Sequence, residues 1–179
     1  MYYMSSYEAP MGTLTLVSHE ECLIGAWFEG QKYYMASVAK EDMVPQENAV
    51  LLRTKKWLDD YFAGRMPALI PLPLAPQGSP FRRLVWQILC QIPYGQVRTY
   101  KEIADEVASY EGKDHMSAQA VGGAIGHNPI SIIIPCHRVV GTNGSLTGYA
   151  GGIDKKVKLL EWEHTDMTGF FIPKKGTAL

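Results

Sequence analysis

Apolar and polar residues alternate near the N-terminus, and their period then changes along the chain. Thr13-Leu14-Thr15-Leu16-Val17-Ser18 alternates with period two, and Cys22-Leu23-Ile24-Gly25-Ala26-Trp27-Phe28 is apolar and aromatic. Both patterns predict strands. Pro10-Met11-Gly12 and His19-Glu20-Glu21 read as turns, so the first 28 residues form an antiparallel meander. A helical period follows from about Gln46 to Phe62, with Pro45 near its start and Gly64 at its end. Leu51, Leu52, Leu58 and Phe62 line one face of it, with Lys55 as a basic member. Prolines at 67, 71, 73, 76 and 80 exclude a regular helix there and mark a linker.

Ser79-Pro80 opens a second helix, with serine as N-cap and proline in the first turn. Phe81, Leu84, Val85, Ile88 and Leu89 keep helical spacing, and the helix stops near Ile92-Pro93-Tyr94-Gly95. Two more helices are expected, Lys101 to Ser109 and Ser117 to Gly126, and with their connecting turn they fit a helix-turn-helix. The latter is small-sided throughout, so its backbone can approach another surface or a neighbouring helix closely. The order predicts an α+β chain: a small N-terminal antiparallel sheet plus helix, then a mostly helical C-terminal part. Boundaries are expected at 1–76, 77–166 and 167–179, the last a tail without a readable role.

At 179 residues, 46% hydrophobic and 20% charged, the chain has the material for a packed core and not the composition of a disordered one. No apolar run approaches the roughly 20 residues that span a bilayer. The N-terminus lacks the basic-then-apolar pattern of a secretory signal. Three widely spaced cysteines argue against a disulfide framework and for a reducing, cytoplasmic setting. Net charge is -1 overall, but residues 1–80 carry -3 and residues 81–179 carry +2. An anionic partner is therefore expected at the C-terminal half.

Cys136 carries the candidate chemistry. It follows Ile132-Ile133-Ile134-Pro135, precedes His137-Arg138-Val139, and stands before the permissive run Gly148-Tyr149-Ala150-Gly151-Gly152. An ordinary thiol of pKa about 8.5 is only a few per cent thiolate at neutral pH, and a neighbouring base raises that fraction. The expectation is a thiol at the end of a buried strand. Successive side chains on an extended backbone diverge, so His137 should reach Cys136 through a water and not directly.

Pro135-Cys136-His137-Arg138-Val139 is similar to the active-site signature of the methylated-DNA–protein-cysteine methyltransferases. The resemblance extends in order through Tyr94-Gly95-Gln96-Val97 with Tyr100, Ala120-Val121-Gly122-Gly123-Ala124, Asn128-Pro129, Gly148 to Gly152, and Leu159-Leu160 leading to Glu163. It is close from Phe81 to Glu163 and looser before that. It implies a ribonuclease H-like N-terminal domain and a winged-helix-like helix-turn-helix. The implied activity is a single-turnover DNA repair: a methyl or other alkyl group moves from O6 of guanine, with O4 of thymine a second candidate, onto Cys136.

The resemblance also implies the remaining roles. Glu163 orients and charge-stabilises His137, the base, which takes the thiol proton through a water. Tyr100 gives the departing guanine a proton, and Asn128 ties the helix-turn-helix to the cysteine segment. Lys156 either assists electrostatically or is a surface lysine. Backbone groups of Cys136, Val139 and Ala150 read the base, and the Tyr149 ring closes the pocket. Ser117, Ala118, Gln119, Ala120 and Gly122 face the DNA minor groove. No cofactor or metal is expected, because His19 and Cys22 are too few ligands for a structural site. The expected partner is double-stranded DNA carrying O6-alkylguanine, bound by a monomer, with no membrane.

One position departs from the family pattern. An arginine usually precedes the Val-Gly-Gly of the groove helix by two residues, and this chain has Gln119. Tyr110 to His115 reads as a short insertion, either a DNA contact or a solvated loop. Arg138 is expected to bind backbone or a carboxylate internally. The nearest rival is a non-reacting lesion sensor of the same fold, which would lack the cysteine.

Overall fold

The computed structural model describes residues 1–39, 42–69 and 71–174. Residues 175–179 of the expected tail lie outside the described residues. The chain divides into two compact units, one of Met1–Gln77 with Pro129–Ile133, the other of Gly78–Asn128 with the residues from 134 onward.

In the first unit, β1 (Tyr2–Ala9), β2 (Gly12–His19) and β3 (Cys22–Phe28) form the expected meander. A fourth strand, β4 (Met43–Val44), pairs parallel to β1 and gives the order β3-β2-β1-β4. The sheet is therefore mixed and not purely antiparallel. Two residues are too short to leave a periodic trace in the sequence. Helix α1 (Ala49–Phe62) starts three residues later than its periodicity suggested, because Asn48 caps it, accepting from Leu51 N–H. Its buried face is Val50, Leu51, Thr54, Trp57, Leu58 and Tyr61.

The proline-rich stretch is not a free linker throughout. Leu23 N–H donates to Pro73 O and Ala75 N–H donates to Leu23 O, both at 2.8 Å, so residues 73–75 bridge the edge of β3. Residues 129–131 take the same strand further along: Ala26 N–H donates to Pro129 O and Ser131 N–H to Ala26 O, each at 2.8 Å. An unpaired strand edge is a template for aggregation, and these two segments cover it.

In the second unit, α2 (Pro80–Leu89) begins at Ser79, whose hydroxyl accepts from Arg82 N–H. A two-stranded parallel pair joins β5 (Arg98–Thr99) to β6 (Val139–Val140). Helix α3 (Tyr100–Glu111) opens on a capping box between Thr99 and Glu102 and closes on left-handed Gly112. The anticipated insertion is thus partly helical, since Tyr110 and Glu111 belong to α3. Helix α4 (Ala118–Gly126) is capped by Ser117. Trp86 on α2 is buried and donates its Nε1–H to Ala124 O at 2.8 Å, fixing α4 against α2. Helix α5 (Ile153–Trp162) follows Gly152, whose φ of +96 requires glycine.

Candidate active site

Cys136 is buried, but no strand leads to it. Residues 131–134 form a turn with Ile132 at φ +70, and Cys136–Arg138 is a single 3-10 turn. Two short-range backbone bonds shape the isoleucine run: Ile133 N–H donates to Ser131 O and Cys136 N–H to Ile134 O. Propensity for extended structure in β-branched residues yields to context here. Successive side chains on a 3-10 turn lie about 120° apart, so Cys136 and His137 still diverge.

His137 is fully buried, and its Nε2 lies 2.6 Å from Glu163 Oε1. The carboxylate, at the C-terminal end of α5, accepts three further hydrogen bonds. Arg138 donates from Nε to Oε2 at 2.9 Å and from Nη2 to Oε1 at 2.8 Å, and Gly95 N–H donates to Oε2 at 3.2 Å. Four donors match the acceptor capacity of one ionised carboxylate. Arg138 is itself fixed by Nη1 donating to Ile92 O at 2.7 Å, so it meets both a carboxylate and backbone. Gly95 stands at φ +76, and a Cβ there would lie 3.0 Å from Glu163 O. The Tyr94-Gly95 turn is thereby a seat for Glu163, with the Tyr94 hydroxyl donating to Trp162 O at 3.2 Å.

Burial alone would raise the Glu163 pKa, but the hydrogen bonds and charges of His137 and Arg138 outweigh it and hold the carboxyl well below its usual range. Burial lowers the His137 pKa, and its bond to Glu163 only partly opposes this. A neutral ring donating from Nε2 keeps its lone pair on Nδ1. That atom is buried and has no hydrogen-bond partner among the described residues. Burial also raises the Cys136 thiol, opposed by the Asn128 side chain, the Lys156 charge and the backbone N–H groups of Cys136 and His137. The resting group is a thiol, surrounded by donors suited to a thiolate once the proton leaves.

Asn128, directly after α4, donates Nδ2–H to Ile134 O at 2.8 Å. It links the end of α4 to the segment that carries the cysteine. Lys156 is fully buried and donates to Val139 O at 2.5 Å and Thr147 O at 2.7 Å; burial lowers its pKa to about 8. Tyr100 opens α3, is buried, and donates its hydroxyl to Thr147 O at 3.0 Å. Burial raises its pKa, and a thiolate at Cys136 would raise it further, so it holds its proton at rest. Thr147 O thus receives both groups, a role no side-chain pattern announces. Val139 and Tyr149 are buried and Ala150 is half-buried, after Gly148 at φ +69.

The α4 residues divide between two faces. Ser117, Ala118, Gln119 and Ala120 are exposed, whereas Gly122 is buried with Val121, Ala124 and Ile125. Gly122 therefore belongs to the packed face, and Gly123, with open space where a Cβ would stand, takes its place on the outer one. Among the described residues, no group of three or more His, Cys, Asp or Glu could hold a metal, and no helix is long and apolar enough to cross a membrane.

Protonation of the site couples to stability. The unfolded chain protonates a histidine near 6.5, which folded His137 resists. Stability should therefore fall as pH drops through 6.5. It should fall more steeply below 4.5, where unfolded Glu163 takes up a proton that the folded carboxylate refuses. Urea titrations from pH 7.5 to 4 should show this two-stage decline, and a flat profile would contradict the assigned charge states.

Residues 80–165 match the DNA-binding domain, and residues 1–76 the ribonuclease-like domain, of the 6-O-methylguanine DNA methyltransferase family. A Methanosarcina barkeri methylated-DNA–protein-cysteine methyltransferase is 42% identical over 168 residues, 93% of this chain and 99% of that protein. The crystal structure of the Mycobacterium tuberculosis O6-methylguanine methyltransferase superposes with a TM-score of 0.76 at 39% identity, covering 91% of this chain and 93% of that one. The Mycobacterium tuberculosis OGT in complex with DNA gives 0.77 at 38% identity, covering 90% and 93%.

Proposed function

The chain belongs to the 6-O-methylguanine DNA methyltransferase family, and from that premise we propose that it repairs O6-alkylguanine in double-stranded DNA by moving the alkyl group onto its own Cys136. One observation carries the residue assignment. A carboxylate that accepts from His137, Arg138 and Gly95 holds His137 by Nε2 and leaves buried Nδ1 with no partner among the described residues. That arrangement suits a base that takes the thiol proton through one water.

In the transfer, Cys136 Sγ attacks the alkyl carbon and the carbon–O6 bond breaks, its electron pair passing to the guanine. The thiol proton goes to His137. Tyr100 gives a proton to a ring nitrogen of the leaving base, and His137 restores it to the phenol afterwards. The Tyr100 hydroxyl must turn from Thr147 O to do this, while Lys156 keeps that carbonyl bonded. The thioether formed has a stable carbon–sulfur bond, so each molecule acts once.

A stacked base hides its O6, so the nucleotide must leave the duplex. Exposed Ser117, Ala118, Gln119 and Ala120 form the surface of α4 that enters the minor groove, with Gln119 in the space left by the base. Glutamine lacks the charge and plane of a guanidinium. Gln119→Arg is accordingly expected to speed repair of duplex substrate; equal single-turnover rates would remove Gln119 from that role.

The sensor reading is not favoured, because a protein that only binds lesions has no use for Cys136 and its buried base. Titrating methylated duplex with protein tests the proposal: lesions lost should equal protein added, one for one. Repair of many lesions per protein, or of none, would overturn it.

A further inference from the structure

The tail after α5 folds back on the 140–146 segment. Met167 and Phe170 pack against Val140, Leu146 and Leu160. Phe171 N–H donates to Gly144 O at 3.1 Å, and Leu146 N–H donates to Phe171 O at 2.8 Å, so Phe171 bridges Ser145 in parallel. The approach is tight enough that a Cβ on Gly144 would lie 2.3 Å from Gly169 O. The tip of the loop otherwise closes mainly on itself, through Gly144 N–H to Gly141 O, Gly141 N–H to Ser145 O and Ser145 N–H to Asn143 Oδ1. Directly beyond this tip comes Thr147, whose carbonyl accepts from Tyr100 and Lys156, and then Tyr149 and Ala150.

We propose that residues 166–172 are a strap that positions the 144–150 wall of the pocket, with the Phe171 backbone and the Phe170 side chain as its positioning groups. The inference rests on the alkyl-transfer reading. The wall needs such a device because its glycines favour many conformations, and a reacting geometry tolerates little displacement. Phe171 acts through its main chain: the residue is 46% exposed.

Single-turnover kinetics on duplex DNA carrying O6-methylguanine test this. Phe171→Pro removes the N–H that holds Gly144 O, and Phe171→Leu keeps it. Phe171→Pro should lower the transfer rate constant at saturating DNA by roughly tenfold or more. The half-saturating DNA concentration and the burst amplitude should stay as in the parent, and Phe171→Leu should match the parent. Phe170→Ala, which leaves the backbone bonds intact, should move the rate constant in the same direction and serves if the proline variant does not fold. Parent-like rate constants in the proline and alanine variants would overturn the strap, as would equal slowing by Phe171→Leu or a loss confined to burst amplitude. Absence of transfer by the parent would instead overturn the reading beneath it.

Discussion

Glu163→Gln is expected to slow alkyl transfer by about 10² to 10⁴, the range that positioned acid–base groups contribute. The carboxylate accepts from His137, twice from Arg138 and once from Gly95 N–H. An amide presents one oxygen and one NH₂ in the same space, so at least one of these donors meets another donor. His137 then loses the negative charge that would stabilise its protonated form, and the ring is free to turn Nδ1 away. DNA affinity should not change, because these four bonds run to His137, Arg138 and Gly95 and not to residues 117–120, the surface proposed to meet DNA. Single-turnover rates and duplex binding on the same folded sample check this. A parent-like rate would separate Glu163 from the chemistry, and a change in binding alone would make it a scaffold for the DNA surface.

Arg138→Met is expected to destabilise the second unit by about 3 to 5 kcal/mol, the usual consequence of leaving one member of a buried pair uncompensated. Arg138 is 8% exposed and Glu163 2% exposed, so water cannot replace the lost guanidinium. Methionine fills much of the volume, which confines the effect to charge and hydrogen bonds. Three bonds disappear, and Glu163 and Ile92 O lose partners. His137 keeps its bond to Glu163, so transfer by the molecules still folded should fall less than in Glu163→Gln. Urea unfolding at pH 7.5 gives the stability, and a loss below about 1 kcal/mol would place the pair among weak surface bridges.

Features set by neighbouring residues were legible in the sequence. Ser79 followed by Pro80 marked the start of α2, and the structure shows Ser79 capping it. The segment before Cys136 was misread because three isoleucines favour a strand, whereas local turn bonds and a left-handed Ile132 decide its path. The Gly122 face was misassigned for a different reason. A glycine has no side chain, so position 122 carries no polarity of its own to tell a packed from an open face. Lys156 could have been read as buried, since Leu159 and Leu160 follow it by three and four positions on one helical face. The link from His137 to Glu163 spans 26 residues, and only the family resemblance pointed to it. Thr147 left no trace because its part is played by a carbonyl, which every residue has.

The most direct test is to digest the protein after it has met duplex DNA bearing O6-methylguanine and weigh the peptide that holds Cys136. Transfer to Cys136 gives that peptide the mass of one methyl, stoichiometric with guanine restored, and Cys136→Ser gains none anywhere. Lesion loss with the Cys136 peptide unchanged in mass, or undiminished repair by Cys136→Ser, would contradict it.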